Sequence, residues 1–249
     1  MKNIVLVCQT VDVQSNNRRY DHTHINCMRT MLNRANAHYD RLVVITNVDP
    51  ALIHPDFEVF PLSSDSRWKG WWSKMSIYNP QLQLKGSVLY LDLDVIPCAQ
   101  INQLWQYATP GISMRRALHL EAVQNLSELH RYNSSVQTFP AGLLDQLYHN
   151  YVNSEFNQLN KISLDGDERY VSEFLVNSSI PHSELPIQLL PYYPRLVSNS
   201  QLLKTATSQH IPTKSHIPYA DIAVLVFAGS FKPWSVAQLD STIAELYPL

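Results

Sequence analysis

Two aspartates, Asp92 and Asp94, are separated by one residue and directly follow a run of apolar residues. The run 87–91 is typical of a strand buried on both faces of a sheet, so both carboxylates would lie at the end of that strand. If the chain bends at Leu93, both side chains can face one hard cation such as Mg²⁺ or Mn²⁺, which takes oxygen ligands. Aspartates also form turns and cap helices at strand ends, and the pair alone does not separate these interpretations.

Three further segments carry groups suited to an anionic ligand. Residues 71–74 (WWSK) place a lysine beside two tryptophans, and residues 166–170 (GDERY) form a turn that opens a helix with acids. Residues 227–234 (FAGSFKPW) end a strand in a glycine turn and place Lys232 before a proline. A lysine can act as a point charge on a phosphate. The alternatives are tryptophans that serve the core, a capping role for Asp167 and a surface position for Lys232.

Together these segments resemble the family 8 glycosyltransferases and related bacterial proteins of the GT-A fold. The shared marks are a WW-x-K segment, a strand ending in DLD, an N-S-S/G-V strand, a G-D-Q-x-Y-like turn and a C-terminal F-x-G-x-x-K-P-W. In this chain they are residues 71–74, 92–94, 133–136, 166–170 and 227–234, in that order. The resemblance implies an α/β, GT-A-like nucleotide-diphospho-sugar transferase fold with a Rossmann-like mixed sheet flanked by helices. It also implies sugar transfer from a nucleotide-sugar, taken as a UDP-sugar, assisted by Mn²⁺ or Mg²⁺ at the DxD motif.

The resemblance further implies roles for single residues. Asp92 and Asp94 would bind the metal ion, and Asp92 would also approach the ribose or sugar. Lys74 and Asp167 are the predicted catalytic residues, with Lys74 close to the donor and Asp167 facing the sugar or acceptor. The predicted donor-binding set comprises the nucleotide cradle, two lysines and one acid: Thr10, Val11, Tyr20, Lys74, Asp92 and Lys232.

One departure from the family concerns the metal. The family supplies a histidine ligand beside the phenylalanine and glycine of the C-terminal motif, but here Val226 and Ala228 flank the phenylalanine. His210 and His216 are candidates to replace it in space, and Glu168 stands where glutamine is usual. Two carboxylates with phosphate and water oxygens still complete an octahedral shell. An active transferase and a catalytically quiet nucleotide-sugar-binding protein therefore both stay open, with a metal-dependent phosphoesterase as a third hypothesis.

The elements that must position these residues follow from apolar periodicity. Strands are predicted at 4–8, 42–46, 57–62, 87–91, 112–115, 134–138 and 223–228, and helices at 23–37, 71–78, 101–107, 142–151, 167–175 and 235–247. In such α/β sheets ligands bind beyond the carboxyl ends of the strands, where the two aspartates would project. We expect one domain over residues 1–249, with a nucleotide-binding half at about 1–97 and an acceptor-side half at about 98–249.

Composition limits the other classes of function. The chain has 249 residues, of which 45% are hydrophobic and 16% charged, as in globular domains. Its net charge of −2 argues against nucleic acid as a partner. Three isolated cysteines fit free thiols in a reducing compartment, and no apolar run approaches the roughly 18 residues of a membrane span. We therefore expect a cytoplasmic protein without a transmembrane segment, whose partners are a nucleotide-sugar donor and an unknown acceptor (glycan, lipid or protein).

Overall fold

A seven-stranded sheet forms the centre of the protein. The computed structural model describes residues 1–10, 20–117, 132–154, 166–193, 196, 216–227 and 232–248. The strands are β1 (Lys2–Cys8), β2 (Arg41–Thr46), β3 (Glu58–Pro61), β4 (Ser87–Leu91), β5 (Val95–Pro97), β6 (Ile112–Arg116), β7 (Tyr132–Pro140), β8 (His182–Glu184) and β9 (Val224–Val226). The sheet order is β3-β2-β1-β4-β7-β6-β8, and β5 pairs with β9 in a separate two-stranded ribbon.

The sheet is mixed. β1 pairs in parallel with both β2 and β4, and β2 pairs in parallel with β3. β7 runs antiparallel between β4 and β6, while β8 is parallel to β6. The predicted α/β fold with a mixed sheet flanked by helices is therefore confirmed.

Helices cover both faces of the sheet. The α-helices are α1 (His22–Arg34), α2 (Asp145–Asn153), α3 (Gly166–Asn177), α4 (Pro233–Ala237) and α5 (Ser241–Leu246). The 3₁₀ helices are Pro50–Leu52, Ser66–Trp68, Gly70–Tyr78, Pro80–Leu82 and Ile101–Tyr107. None of the helices in the described segments is long and apolar enough to cross a membrane.

The two faces carry separate cores because side chains alternate along each strand. In β4, Leu89 and Leu91 join a core that α1, α4, α5 and the 3₁₀ helix Ile101–Tyr107 cover. Val88 and Tyr90 point to the other core, which α2, α3 and the 3₁₀ helix Gly70–Tyr78 cover. Asp92 follows Tyr90 by two residues, so strand alternation directs it toward the second group of helices.

Local signals fix the ends of the elements next to the site. Asp21 caps α1, since its carboxylate accepts a hydrogen bond from the Thr23 amide at 2.9 Å and His24 bonds back to the Asp21 amide. Such a cap contributes about 1 kcal/mol. His22 and His24 both lie in the first turn of this helix, which was predicted to begin at residue 23. The predicted end of the helix 71–78 is confirmed at Tyr78, and Asn79 caps the next 3₁₀ turn.

Candidate functional site

The two aspartates lie on the turn that joins β4 to β5. Asp92 is the first residue after β4, and its amide donates to the Ser135 carbonyl at 2.9 Å, which continues the pairing with β7. The Tyr90 hydroxyl donates to Asp92 Oδ1 at 2.5 Å. This contact was not predicted, although the two-residue period of a strand puts both side chains on one face. Asp94 lies two residues further on and is almost fully buried.

Lys74 joins three elements at this turn. Its Nζ donates to Asp92 Oδ2 at 2.9 Å and to Ser134 Oγ in β7 at 2.9 Å, and it lies 4.0 Å from Asp167 Oδ2 in α3. The structure thus brings together three of the residues singled out in the sequence: Lys74, Asp92 and Asp167. Burial opposes the charge on Lys74, but the carboxylates of Asp92 and Asp167 outweigh it and raise the pKa of the lysine.

The first turn of α3 contributes two acids to the cluster, Asp167 and its neighbour Glu168. Asp167 is buried, and burial raises the pKa of its carboxyl group despite the nearby lysine. Glu168 Oε1 accepts hydrogen bonds from Asn133 Nδ2 at 2.8 Å and from the Ser134 amide at 3.2 Å. Burial, with a further contribution from the Asp167 charge, raises the pKa of Glu168 to about 7. Ser134 belonged to a recognised motif without a role, and here it contacts both the lysine and an acid.

Asp94 forms the second ion pair of the site, with Lys232. The lysine Nζ donates to Asp94 Oδ2, and the residue stands immediately before α4. The Tyr20 hydroxyl also bonds to Asp94, and burial and the two aspartates raise the pKa of Tyr20. The Tyr20 ring packs edge-on against Trp234, 5.4 Å between centroids. Tyr20, predicted to cradle the nucleotide base, is therefore held beside the turn that joins β4 to β5 and carries Asp92 and Asp94, called the acid turn below.

The other predicted binding residues lie at separate points. The Thr10 amide donates to Asn47 Oδ1 at 2.8 Å, and Asn47 Nδ2 returns a bond to the Thr10 carbonyl, which ties the ends of β1 and β2 together. Val11 lies outside the described residues, as do Ala228 and His210. His216 is exposed.

The donor chemistry of the acid turn fits a metal ion that is shared with a ligand. Carboxylate oxygens are the ligands that Mg²⁺ and Mn²⁺ take. Each aspartate already balances a lysine, so neither carboxylate has its full charge available for a cation. Val226, one of the two residues that flank Phe227 where the family has its histidine, is fully buried in β9 and pairs with Val95. Within the described ranges no group of three histidine, cysteine or acidic side chains is arranged to hold a metal.

Known structures of two glycosyltransferases share this architecture over nearly the whole chain. The galactosyltransferase LgtC, solved with donor and acceptor sugar analogs, superposes with a TM-score of 0.61 at 13% identity, covering 99% of this chain and 96% of LgtC. The glycosyltransferase GlyE of Streptococcus pneumoniae TIGR4 gives a TM-score of 0.64 at 14% identity and covers all of this chain. This chain spans only 61% of GlyE. An active-site variant of LgtC in which glutamine is replaced by glutamate gives a TM-score of 0.60 at 12% identity.

These likenesses concern the fold. No protein-family model matches the sequence, and no curated protein matches it significantly. The expected GT-A-like glycosyltransferase fold is confirmed, while membership of family 8 stays a prediction.

Proposed function

We propose that this chain is a glycosyltransferase that moves a sugar from a nucleotide-sugar to an acceptor hydroxyl. The observation that carries the proposal is the cluster of Lys74, Asp92 and Asp167 beyond the carboxyl end of β4, in a protein with the fold of known glycosyltransferases. In open α/β sheets this edge is where ligands bind. The choice of a UDP-sugar rests on the resemblance of the sequence motifs.

The two lysines are proposed to receive the diphosphate of the donor. Each lysine is paired with one aspartate, so a bound diphosphate would compete for the ammonium groups and release carboxylate oxygens. Lys232 stands directly before α4, and its flexible stem allows this exchange. A cation between Asp92, Asp94 and the diphosphate would offset the charge that grows on the leaving group.

Transfer needs one bond to break and one to form at the anomeric carbon. The bond to the diphosphate oxygen breaks with its electron pair, the acceptor oxygen bonds to the carbon, and the acceptor proton is released. Asp167 lies 4.0 Å from Lys74 and is proposed to hold sugar hydroxyl groups beside the reacting carbon. Tyr90 and Ser134 are proposed to fix the orientation of Asp92 and Lys74 through their hydrogen bonds.

A quiet nucleotide-sugar-binding protein is the second candidate. The two lysine–aspartate ion pairs favour it because they balance the acids without a cation, and Val226 favours it because its side chain cannot bind a metal ion. The two candidates differ in turnover. A transferase releases UDP faster when an acceptor is added, whereas a quiet protein binds UDP and releases none from a UDP-sugar.

Calorimetric titration with UDP, with and without Mn²⁺, tests the donor site. We expect binding that Mn²⁺ strengthens and that Asp94→Asn loses, together with a fall in turnover of about 100-fold or more in Asp92→Asn and Asp94→Asn. Asp56→Asn is the matched control, since Asp56 pairs with Arg29 on the surface.

Each other outcome has a definite meaning. Unchanged turnover in both site variants would contradict the assigned roles. Metal-independent UDP binding without turnover would favour the quiet protein. An absence of UDP binding would contradict the UDP donor, and phosphate release from p-nitrophenyl phosphate would point to a phosphoesterase.

A further inference from the structure

Trp71 is the most exposed large hydrophobic side chain among the described residues. Its exposed fraction is 63%, whereas its neighbours Trp68 and Trp72 are 8% and 7% exposed. An exposed indole of this size forgoes the free energy that its burial would contribute. The contrast with Trp72, one residue away, shows that the segment can bury a tryptophan where the core needs one.

The position of Trp71 relates it to the candidate site. Both Trp71 and Lys74 belong to the 3₁₀ helix Gly70–Tyr78, in which residues three apart share one face. Lys74 reaches Asp92 from that face, so Trp71 lies on the same side, one turn earlier. The indole also contacts Gly166, the first residue of α3, and the next residue is the buried acid Asp167.

The contact with Gly166 is close. A Cβ at that glycine would lie 2.7 Å from Cε3 and 3.1 Å from Cδ2 of Trp71, so only glycine leaves room for the indole. Gly166 also has a φ of +70°, a conformation that favours glycine. Gly166, at the start of α3, therefore supports the Trp71 ring while most of the side chain stays open to solvent.

We propose that Trp71 is the stacking platform for a sugar ring of the acceptor, which makes the acceptor a saccharide. This inference rests on the proposed transferase function. A pyranose has an apolar face of C–H groups that suits the electron-rich face of an indole, and its hydroxyl groups suit carboxylates. Trp71 presents such a face to solvent, and the glycine that its ring contacts, Gly166, directly precedes the acid Asp167. A hydrocarbon chain would not use the acids, and a peptide would not need one isolated ring.

Saturation-transfer NMR with maltose, cellobiose and lactose tests the platform directly. We expect at least one disaccharide to bind, Trp71→Ala to weaken that binding about tenfold, and Trp71→Phe, which keeps an aromatic ring, to weaken it no more than about threefold. The control is Leu52→Ala, which removes another exposed side chain from the 3₁₀ helix Pro50–Leu52.

The kinetic counterpart is UDP release from UDP-glucose and UDP-galactose in the presence of the same disaccharide. In Trp71→Ala we expect the KM for the disaccharide to rise about tenfold. The kcat and the KM for the UDP-sugar should each change less than twofold. A purely structural role would instead change all three constants together.

The inference is wrong if none of the three disaccharides binds, or if Trp71→Ala binds them as well as the wild type. Acceleration of UDP release by a fatty alcohol or a serine peptide, but not by a saccharide, would also overturn it. UDP calorimetry separates this failure from that of the proposed function. Saccharide binding without UDP binding would remove the transferase proposal and leave the platform, whereas the reverse would remove only the platform.

Discussion

Glu168 is an acid in the candidate site whose charge state changes near neutral pH. Its carboxyl accepts two hydrogen bonds on Oε1, and burial together with Asp167 raises its pKa from 4.5 to about 7. Between these two values the folded protein keeps a proton that the unfolded chain has released. The free energy of unfolding must therefore decrease as pH rises from about 4.5 to 7, and the full penalty applies above pH 7.

Glu168→Gln should remove this penalty. The amide oxygen can accept both existing hydrogen bonds and has no charge to desolvate. We expect the variant to be more stable than the wild type by about 1–3 kcal/mol at pH 8 and nearly equal to it at pH 5, as urea unfolding would measure. Glu173→Gln on the same helix, which breaks the ion pair with Arg169, is the control. An unchanged pH dependence in Glu168→Gln would contradict the assignment of this titration.

At the level of single elements, the 3₁₀ helix Gly70–Tyr78 carries two adjacent tryptophans, one packed in the core and one exposed. Trp72 stacks on Tyr151 in α2, 5.5 Å between centroids, and lies edge-on to Tyr170 in α3. Through these contacts, the helix that carries Lys74 packs against α2 and α3 on the same face of the sheet. Trp71 has no such place in the core and is largely exposed.

Removal of the two tryptophans should therefore have different consequences for stability. We expect Trp72→Ala to cost about 3–5 kcal/mol, because a large buried side chain leaves a cavity. Trp71→Ala should cost less than about 1 kcal/mol. Urea unfolding of the two variants, with fluorescence or circular dichroism, measures both values. Equal losses would mean that Trp71 is also a packing residue and would weaken its role as a platform.

How well an element could be predicted depended on its length and burial. The long buried strands β1, β2 and β4 agree with their predicted ranges to within two residues, because unbroken apolar runs are distinctive. β5 and β8 were missed, since three residues each are too few to show a period. The tail was predicted as one helix over 235–247, but it forms α4 and α5, which Asp240 separates by capping the second.

The candidate site was predictable in its residue types but not in its pairing. Motif order pointed to Lys74, Asp92, Asp94, Asp167 and Lys232. Each aspartate pairs with a different lysine. This pairing depends on tertiary contacts between residues as distant in sequence as Asp94 and Lys232, and local sequence patterns do not encode such contacts. The sequence left the tryptophans of residues 71–74 with either a core or a ligand role, and the structure buries Trp72 while it exposes Trp71.

At the scale of the whole molecule, the two predicted halves share one sheet. β4 from the first half pairs with β7 from the second over five residue pairs, from Ser87 to Leu91. The C-terminal segment then returns to the first half, where Lys232 bonds to Asp94 and Arg34 donates to the Glu245 carbonyl. Neither half can complete its hydrogen bonding or its core alone, so the site between them depends on both.

This interleaving predicts a single cooperative unfolding transition, even though a chain of 249 residues is long enough for intermediates. Circular dichroism and thiol labelling of the buried cysteines Cys8 in β1 and Cys98 after β5 should give the same urea midpoint. UDP with Mn²⁺ at 100 times its dissociation constant should raise the unfolding free energy seen by both probes by about 2.7 kcal/mol. If Cys98 became reactive before Cys8, the acceptor-side half would unfold separately. A ligand shift confined to one probe would then identify which half holds the donor.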